Sequence, residues 1–306
     1  MLNEIGSSTD GPLSPYRVLE LPGEAGLMCG KIMADLGADV IKIEPPGGDP
    51  SRSVGPFYHD EPDPEKSLYW FALNTNKRSI TLDLQSNDGR DVFRRLVRTA
   101  DFAIERFPPG QLDQSGIGFS SLQEINPRLI LASITPFGQT GPYAGYKGSD
   151  IVAWAMGGYM HLCGEPDRAP LRISLAPQAY FHASAAAAAG CLIAHHYRER
   201  TGCGQHVDQS MQQPPAWMLT NTSQMWEFTH INQGRQGTWR QFGPVHVKTV
   251  FPCADGFIVW MLAGGVIGAK GTRRMVEWMD SEGYAPEWLK VLKWEEFSAT
   301  AATQEQ

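Results

Sequence analysis

The chain has 306 residues, 42% of them apolar, with 26 basic against 33 acidic side chains and a formal net charge of -7. That length predicts one or two domains with enough apolar material for a sizeable core. The acidic balance excludes a general nucleic-acid binder, which needs a dense basic face, although a few Arg or Lys suffice for a local phosphate pocket.

Residues 1–15 are polar and rich in Gly, Ser and Pro, with no basic segment leading into an apolar one, so no signal peptide is expected. Residues 17–21 read as a strand, and 24–36 as a helix ended by Gly37. Residues 39–44, with Val40, Ile41 and Ile43, read as a second strand, and 79–84 as a third. In 88–100, Val92, Phe93, Leu96 and Val97 fall on one face of a helix. Residues 102–105 and 129–134 are further strands. This alternation predicts an α/β fold, a mainly parallel sheet covered by helices.

Ligands on such sheets bind beyond the carboxyl ends of the strands. The unusual loops lie there, at 22–26, 45–52 and 106–110, each with Gly and Pro. Glycine permits close backbone approach and proline stiffens the turn. The spacing of Gly23, Gly26 and Gly30 differs from G-x-G-x-x-G, so no dinucleotide site is predicted.

Two more helices are expected at 149–156 and 179–200. The Ala-rich run 183–194 lacks the length and hydrophobicity for a bilayer span, so no membrane partner is expected. His195 and His196 are adjacent and point to different helix faces, which argues against a metal pair. Five scattered cysteines, without metal or redox spacing, predict reduced thiols in a cytoplasmic protein. Residues 214–242 read as a linker with an irregular Gly-containing loop. Its Trp217, Trp226 and Trp239 suit either an aromatic-lined pocket or core and interface anchors. Strands at 245–251 and 256–262 around an Asp255-Gly256 turn, then helices at 268–279 and 285–292, make a second, smaller α+β unit. The expected division is a large domain over 1–213, the linker over 214–242 and a small domain over 243–306, whose tail 299–306 has no core signal.

Several stretches form one pattern along the chain. They are Leu36-Gly37-Ala38-Asp39-Val40-Ile41-Lys42-Ile43-Glu44 with Gly47 to Arg52, and Asn76-Lys77-Arg78-Ser79-Ile80-Thr81-Leu82-Asp83-Leu84. Asn126-Pro127-Arg128-Leu129-Ile130 and Gly138-Gln139-Thr140-Gly141-Pro142-Tyr143 follow, then Arg198 to Gly202 and Gly204 to Asp208. Taken together, in this order and at this spacing across roughly residues 17–211, they resemble the class III (CaiB/BaiF) CoA-transferase family. The resemblance implies a Rossmann-like large domain, a small domain and an interlocked dimer. It also implies a returning C-terminal segment whose motif this sequence does not contain, so the chain reads as C-terminally truncated.

The resemblance further implies CoA transfer from an acyl-CoA to a small carboxylic acid through an aspartate, since a carboxylate can both attack and leave. The position matching that aspartate is Tyr180, and 172–197 holds no Asp or Glu. Asp150 matches an acidic position near the thioester and is the candidate catalytic residue, with Glu165 and Asp167 as further carboxylates; a helix-start role is the other reading of Asp150. The alternatives are a non-catalytic CoA-binding subunit paired with a catalytic homologue, and an acyl-CoA racemase-like enzyme, whose branch also places Asp at this position. For coenzyme A or acyl-CoA the matching residues are Gly23, Glu24, Lys77, Arg106, Phe107, Lys147 and Met211, with Lys77 and Arg106 as phosphate partners or as ordinary surface charge. Gln114 stands where the family often has Arg. No metal is expected, and the implied assembly is a homodimer or a heterodimer.

Overall fold

The computed structural model describes residues 11–242, 245–261 and 263–297. The polar start, Gly243, Leu262 and the tail singled out from sequence lie wholly or partly outside them. The chain divides into two units, one running through Tyr159 and resuming over Arg172–Thr220, the other comprising Met160–Leu171 and the chain from Asn221 on.

The first unit alternates strand and helix: β1 (Arg17–Glu20), α1 (Leu27–Asp35), β2 (Asp39–Glu44), α2 (Leu68–Asn74), β3 (Lys77–Thr81), α3 (Asn87–Val97) and β4 (Phe102–Glu105). It continues through α4 (Gln111–Gln114), α5 (Phe119–Ile125), β5 (Ile130–Thr135), α6 (Asp150–Met156), α7 (Gln178–Thr201), β6 (His206–Ser210) and α8 (Gln213–Trp217). The six strands form one sheet in the order β3-β2-β1-β4-β5-β6, and every adjacent pair is parallel. The expected α/β class holds, and the strand order is that of a doubly wound sheet. The order reverses between β1 and β4, whose register sets Val18 opposite Phe102. A ligand crevice is expected beyond that reversal.

The central strands are buried on both faces, which near-continuous apolar runs achieve in a parallel sheet. All six residues of β5 are buried, as are Val18, Leu19, Ile43, Phe102 and Ile104. α7 lies against this sheet and against α1. Its alanines 179, 183, 187, 188 and 194 are buried, and a Cβ added at Gly190 would come 2.8 Å from Val207, so small residues set the close approach. Arg198 pins its far end. The fully buried guanidinium donates to the carbonyls of Asp101 (2.9 Å) and Arg128 (3.2 Å), just before β4 and β5, and lies over the Phe102 ring.

A second buried polar feature lies under β1 and β2. Lys42 contacts Glu20 at 3.2 Å and Asp49 at 3.0 Å, and Lys77 contacts Glu20 at 2.8 Å. All four side chains are at most 1% exposed, so two cations and two carboxylates neutralise one another out of water. Glycine at position 30 makes room for this group, because a Cβ there would fall 1.6 Å from the Glu20 carboxylate.

The second unit holds α9 (Thr220–Thr229), β7 (Trp239–Phe242) paired antiparallel with β8 (Val245–Lys248), and β9 (Val250–Cys253) paired antiparallel with β10 (Gly256–Val259) through a turn at 254–255. α10 (Gly265–Ser281) and α11 (Glu287–Lys290) follow. Ala269, Val276, Leu289 and Trp294 form its core. The stretch read from sequence as a linker carries α8, α9 and β7. Among the described residues no helix is long and apolar enough to cross a membrane.

Candidate functional site

The loop after β1 is fixed from two sides. Gly23 has φ +125°, a conformation L side chains rarely adopt, and its N–H donates to Asp49 Oδ2 at 2.9 Å. Asp49 also accepts from the Ser51 N–H at 2.9 Å, tying the loop after β2 to the loop after β1. Burial alone would raise the Asp49 carboxyl, but the Lys42 charge and the Ser51 and Gly23 donors outweigh it and hold it at about 2. On the other side, the stem of Arg106, from the loop after β4, lies on Gly23, and a Cβ there would meet its Cδ at 2.1 Å. A cavity of about 310 Å³ opens between these loops, lined by Pro22, Gly23, Pro50, Leu82, Arg106 and Phe107 among others.

Beside Gly23 the chain reaches the start of α7. Glu24 accepts a hydrogen bond from the Tyr69 hydroxyl at 2.9 Å, and the Tyr69 ring stacks with Phe181, their centroids 6.4 Å apart. Asp150, at the start of α6, accepts from the backbone N–H of Ala179 (2.7 Å) and of Tyr180 (3.4 Å). It thereby meets two donors that a helix start leaves unbonded. Arg172 approaches Asp150 at 3.9 Å. Burial pushes the Asp150 carboxyl up, against the Ala179 and Tyr180 N–H groups and the Arg172 charge. Burial likewise pushes the Tyr180 phenol up, the Glu24 charge adds to that, and the Arg106 charge opposes it. Glu24, Arg106, Asp150 and Tyr180 therefore share one electrostatic neighbourhood at the sheet's reversal point.

The structure thus gathers Gly23, Glu24, Arg106, Phe107, Asp150 and Tyr180. Lys77 is engaged elsewhere: besides Glu20, its ammonium donates to the Leu27 carbonyl (2.8 Å) and to Asn74 Oδ1 (3.0 Å). Lys147 is exposed in the loop between β5 and α6, and Met211 is buried after β6 with its N–H on the Thr135 carbonyl; neither lines the cavity. Glu165 and Asp167 belong to the second unit, where Glu165 lies against Gly237. Tyr69 was missed from sequence because α2 was not foreseen, although Ser67, whose hydroxyl accepts the Trp70 N–H at 3.0 Å, is a readable helix start.

A polar line across β4, β5 and β6 was also missed. The Phe107 N–H donates to Glu105 Oε2 at 2.5 Å, Ser133 bonds His206 Nε2 at 2.8 Å, and the His206 ring stacks on Phe119. Burial pushes the Glu105 carboxyl up to about 7 from an ordinary 4.5, although Ser133 and the Phe107 N–H favour its charged form. A carboxyl raised in the folded state holds its proton while the unfolded chain ionises. The native state therefore loses stability as pH rises from about 4.5 to about 7, with the loss complete above that. At about 1.4 kcal/mol per pH unit the loss is of order 3 kcal/mol. Glu105→Gln should gain up to about 3 kcal/mol on the natural chain between pH 4 and pH 8, read by urea unfolding. A difference that does not move with pH refutes it.

Among the described residues no group of three or more His, Cys, Asp or Glu is placed to hold a metal ion. The family profile described as CoA-transferase family III matches residues 13–299. The chain is 40% identical over 277 residues to the succinyl-CoA:(R)-benzylsuccinate CoA-transferase subunit BbsE of Thauera aromatica, covering 90% of this chain and 65% of that one. It is 40% identical over 258 residues to the succinate–glutarate CoA-transferase of Agrobacterium fabrum, covering 81% and 62%. The chain thus spans less than two thirds of the length of these two relatives. The crystal structure of a CAIB/BAIF family protein from Brucella suis superposes with a TM-score of 0.77 at 34% identity, covering 94% of this chain and 74% of that one.

Proposed function

This chain belongs to CoA-transferase family III, and from that premise we propose that it binds an acyl-CoA beyond the carboxyl ends of β1, β2 and β4 and transfers the CoA to a small carboxylic acid. The observation that supports the reading is the convergence at the sheet's reversal: a cavity bordered by Gly23, Arg106 and Phe107 lies one residue along the chain from Glu24, which is bonded to Tyr69, while Asp150 bonds the backbone at the start of α7. The cavity offers an apolar floor for the cofactor's flat and hydrocarbon parts. Arg106, exposed at its rim, offers a cation to phosphate. Succinyl-CoA is the donor to test first, because the relatives from Thauera and Agrobacterium are named for succinyl-CoA or succinate. Arg172, half-exposed beside Asp150, suits the far carboxylate of such an acyl group.

Calorimetric titration of the chain with CoA and with succinyl-CoA tests this. Micromolar binding is expected, and a folded preparation that binds neither overturns the reading. Arg106→Ala should weaken CoA binding about 10- to 100-fold, the range for losing a charge-assisted hydrogen bond, with little change in melting temperature. An affinity unchanged by that substitution removes Arg106 from the site.

A second reading is that the chain is the non-catalytic, CoA-binding member of a heterodimer in the cytoplasm. Tyr180 at the start of α7 favours it, since a phenol cannot form a mixed anhydride, and so does the naming of the Thauera relative as a subunit. Transfer that begins only when a homologue with aspartate at this position is added would select it.

A further inference from the structure

We infer that Glu24 is the carboxylate that carries the acyl group and then CoA through the transfer. The inference rests on the CoA-transfer reading above.

The reaction needs a carboxylate that is reachable from the cavity and not already quenched. The other acidic side chains at this end of the sheet are committed. Glu20 and Asp49 are buried in the ion-paired group with Lys42 and Lys77. Glu44 is held by Arg52 (2.6 and 2.9 Å), which lies over the Trp70 ring. Glu105 is 4% exposed and takes the Phe107 N–H. Asp208 takes the Gln139 N–H on both oxygens, at 3.1 and 2.9 Å. Asp150 spends Oδ1 on the start of α7 and has the Arg172 guanidinium 3.9 Å from Oδ2. Asp83 borders the cavity, but it follows the edge strand β3 and takes the Gln85 N–H.

Glu24 differs from the buried and ion-paired members of this set, and from Asp83 in standing beside the sheet's reversal rather than after its edge strand. It adjoins the cavity residue Gly23, is partly exposed, and has Oε1 fixed by a neutral donor, the Tyr69 hydroxyl. Among the described residues no cation lies within ion-pair distance of it and nothing bonds Oε2. The nearby positive charge is Arg106, held against Gly23 one residue away, where it can attend an oxyanion without locking the nucleophile. Tyr180 then has a physical reason. With Glu24 and Asp150 already present, a third carboxylate at 180 would meet two like charges, whereas a phenol brings none.

Atoms and charges balance along this route. Glu24 Oε2 attacks the thioester carbonyl carbon, the C–S bond breaks, and the electron pair leaves on the CoA sulfur. The thiolate attacks Glu24 Cδ, breaking its bond to the bridging oxygen and releasing the donor acid as a carboxylate. The acceptor carboxylate attacks the resulting Glu24–CoA thioester and expels the thiolate. That thiolate then takes the acceptor's acyl carbon and frees Glu24. No net proton is consumed.

The test traps the carboxyl on the natural chain. It is incubated with succinyl-CoA and hydroxylamine, which turns a carboxyl caught as anhydride or thioester into a hydroxamate, and peptide mass mapping locates the mark. The expected result is a hydroxamate on Glu24 that depends on succinyl-CoA, with Glu24→Gln losing transfer by more than about 10³-fold while CoA affinity stays within about threefold. A hydroxamate on Asp150 or any other carboxyl overturns the assignment. So does no hydroxamate in a preparation that binds CoA, an outcome that leaves the binding reading standing and points to the heterodimer. Failure to bind CoA sinks both.

Discussion

Glu20→Ala is expected to cost the fold about 3–5 kcal/mol, the usual penalty for stranding a buried charge. Glu20 is fully buried and sits between Lys42 and Lys77, each 1% exposed. Removing it leaves two ammonium groups and one carboxylate, Asp49, in a space closed to water. The Lys77 ammonium already has its pKa pushed down by burial, with Glu20 the main charge opposing that fall. Without Glu20, Lys77 sheds its proton or admits water, and either route costs stability. Urea unfolding at pH 7 measures the loss, and repeating it in 0.5 M salt distinguishes this interior pair from a surface one, because salt barely screens buried charges. A loss below about 1 kcal/mol, the size of a surface pair, would show that the group contributes as little as exposed ion pairs do.

The second large effect concerns chemistry. Tyr180→Asp combined with Glu24→Gln is expected to return transfer to within about 100-fold of the natural chain, after Glu24→Gln alone has removed it. The double variant keeps the number of carboxylates constant while moving one from the loop after β1 to the first turn of α7. An offset of an ångström or so in a reacting group costs about 10²-fold, which sets the shortfall. Tyr180→Asp alone gains nothing, because the new carboxyl meets Glu24 and Asp150 and is pushed toward its neutral form. Initial rates of succinyl-CoA consumption with a dicarboxylate acceptor measure all three variants. If Tyr180→Asp alone raises the rate more than about tenfold, the site lacked a nucleophile and Glu24 was not supplying one.

The sheet was legible because its central strands, 39–44, 102–105 and 129–134, are short apolar runs between Gly and Pro loops, and the structure places β2, β4 and β5 there within a residue or so. β6 escaped notice because His206-Val207-Asp208-Gln209-Ser210 contains one apolar residue and pairs with β5 on one side only, as an edge strand. The third strand was foreseen at 79–84 but forms at Lys77–Thr81, since pairing of Val40 with Lys77 brings the polar Asn-Lys-Arg motif into the sheet. That pairing also explains Lys77. A lysine in a motif reads as a free cation until the chain 57 residues earlier supplies Glu20 and the gap at Gly30 in which to bury it. Glu24 and Arg106 were legible as members of two loops. Their closeness was not, because it depends on the strand order reversing between β1 and β4.

α7 carries a consequence for how this protein can change. Its far end is held by a buried arginine on two carbonyls, and its middle is set by alanines against the sheet. Its first turn, where Tyr180 sits half-buried, takes its backbone anchor from a side chain on another helix, Asp150. The identity of residue 180 is therefore decoupled from the placement of the helix. Selection can exchange the side chain at that position without rebuilding the scaffold, because Asp150 bonds the backbone N–H groups there and not the phenol.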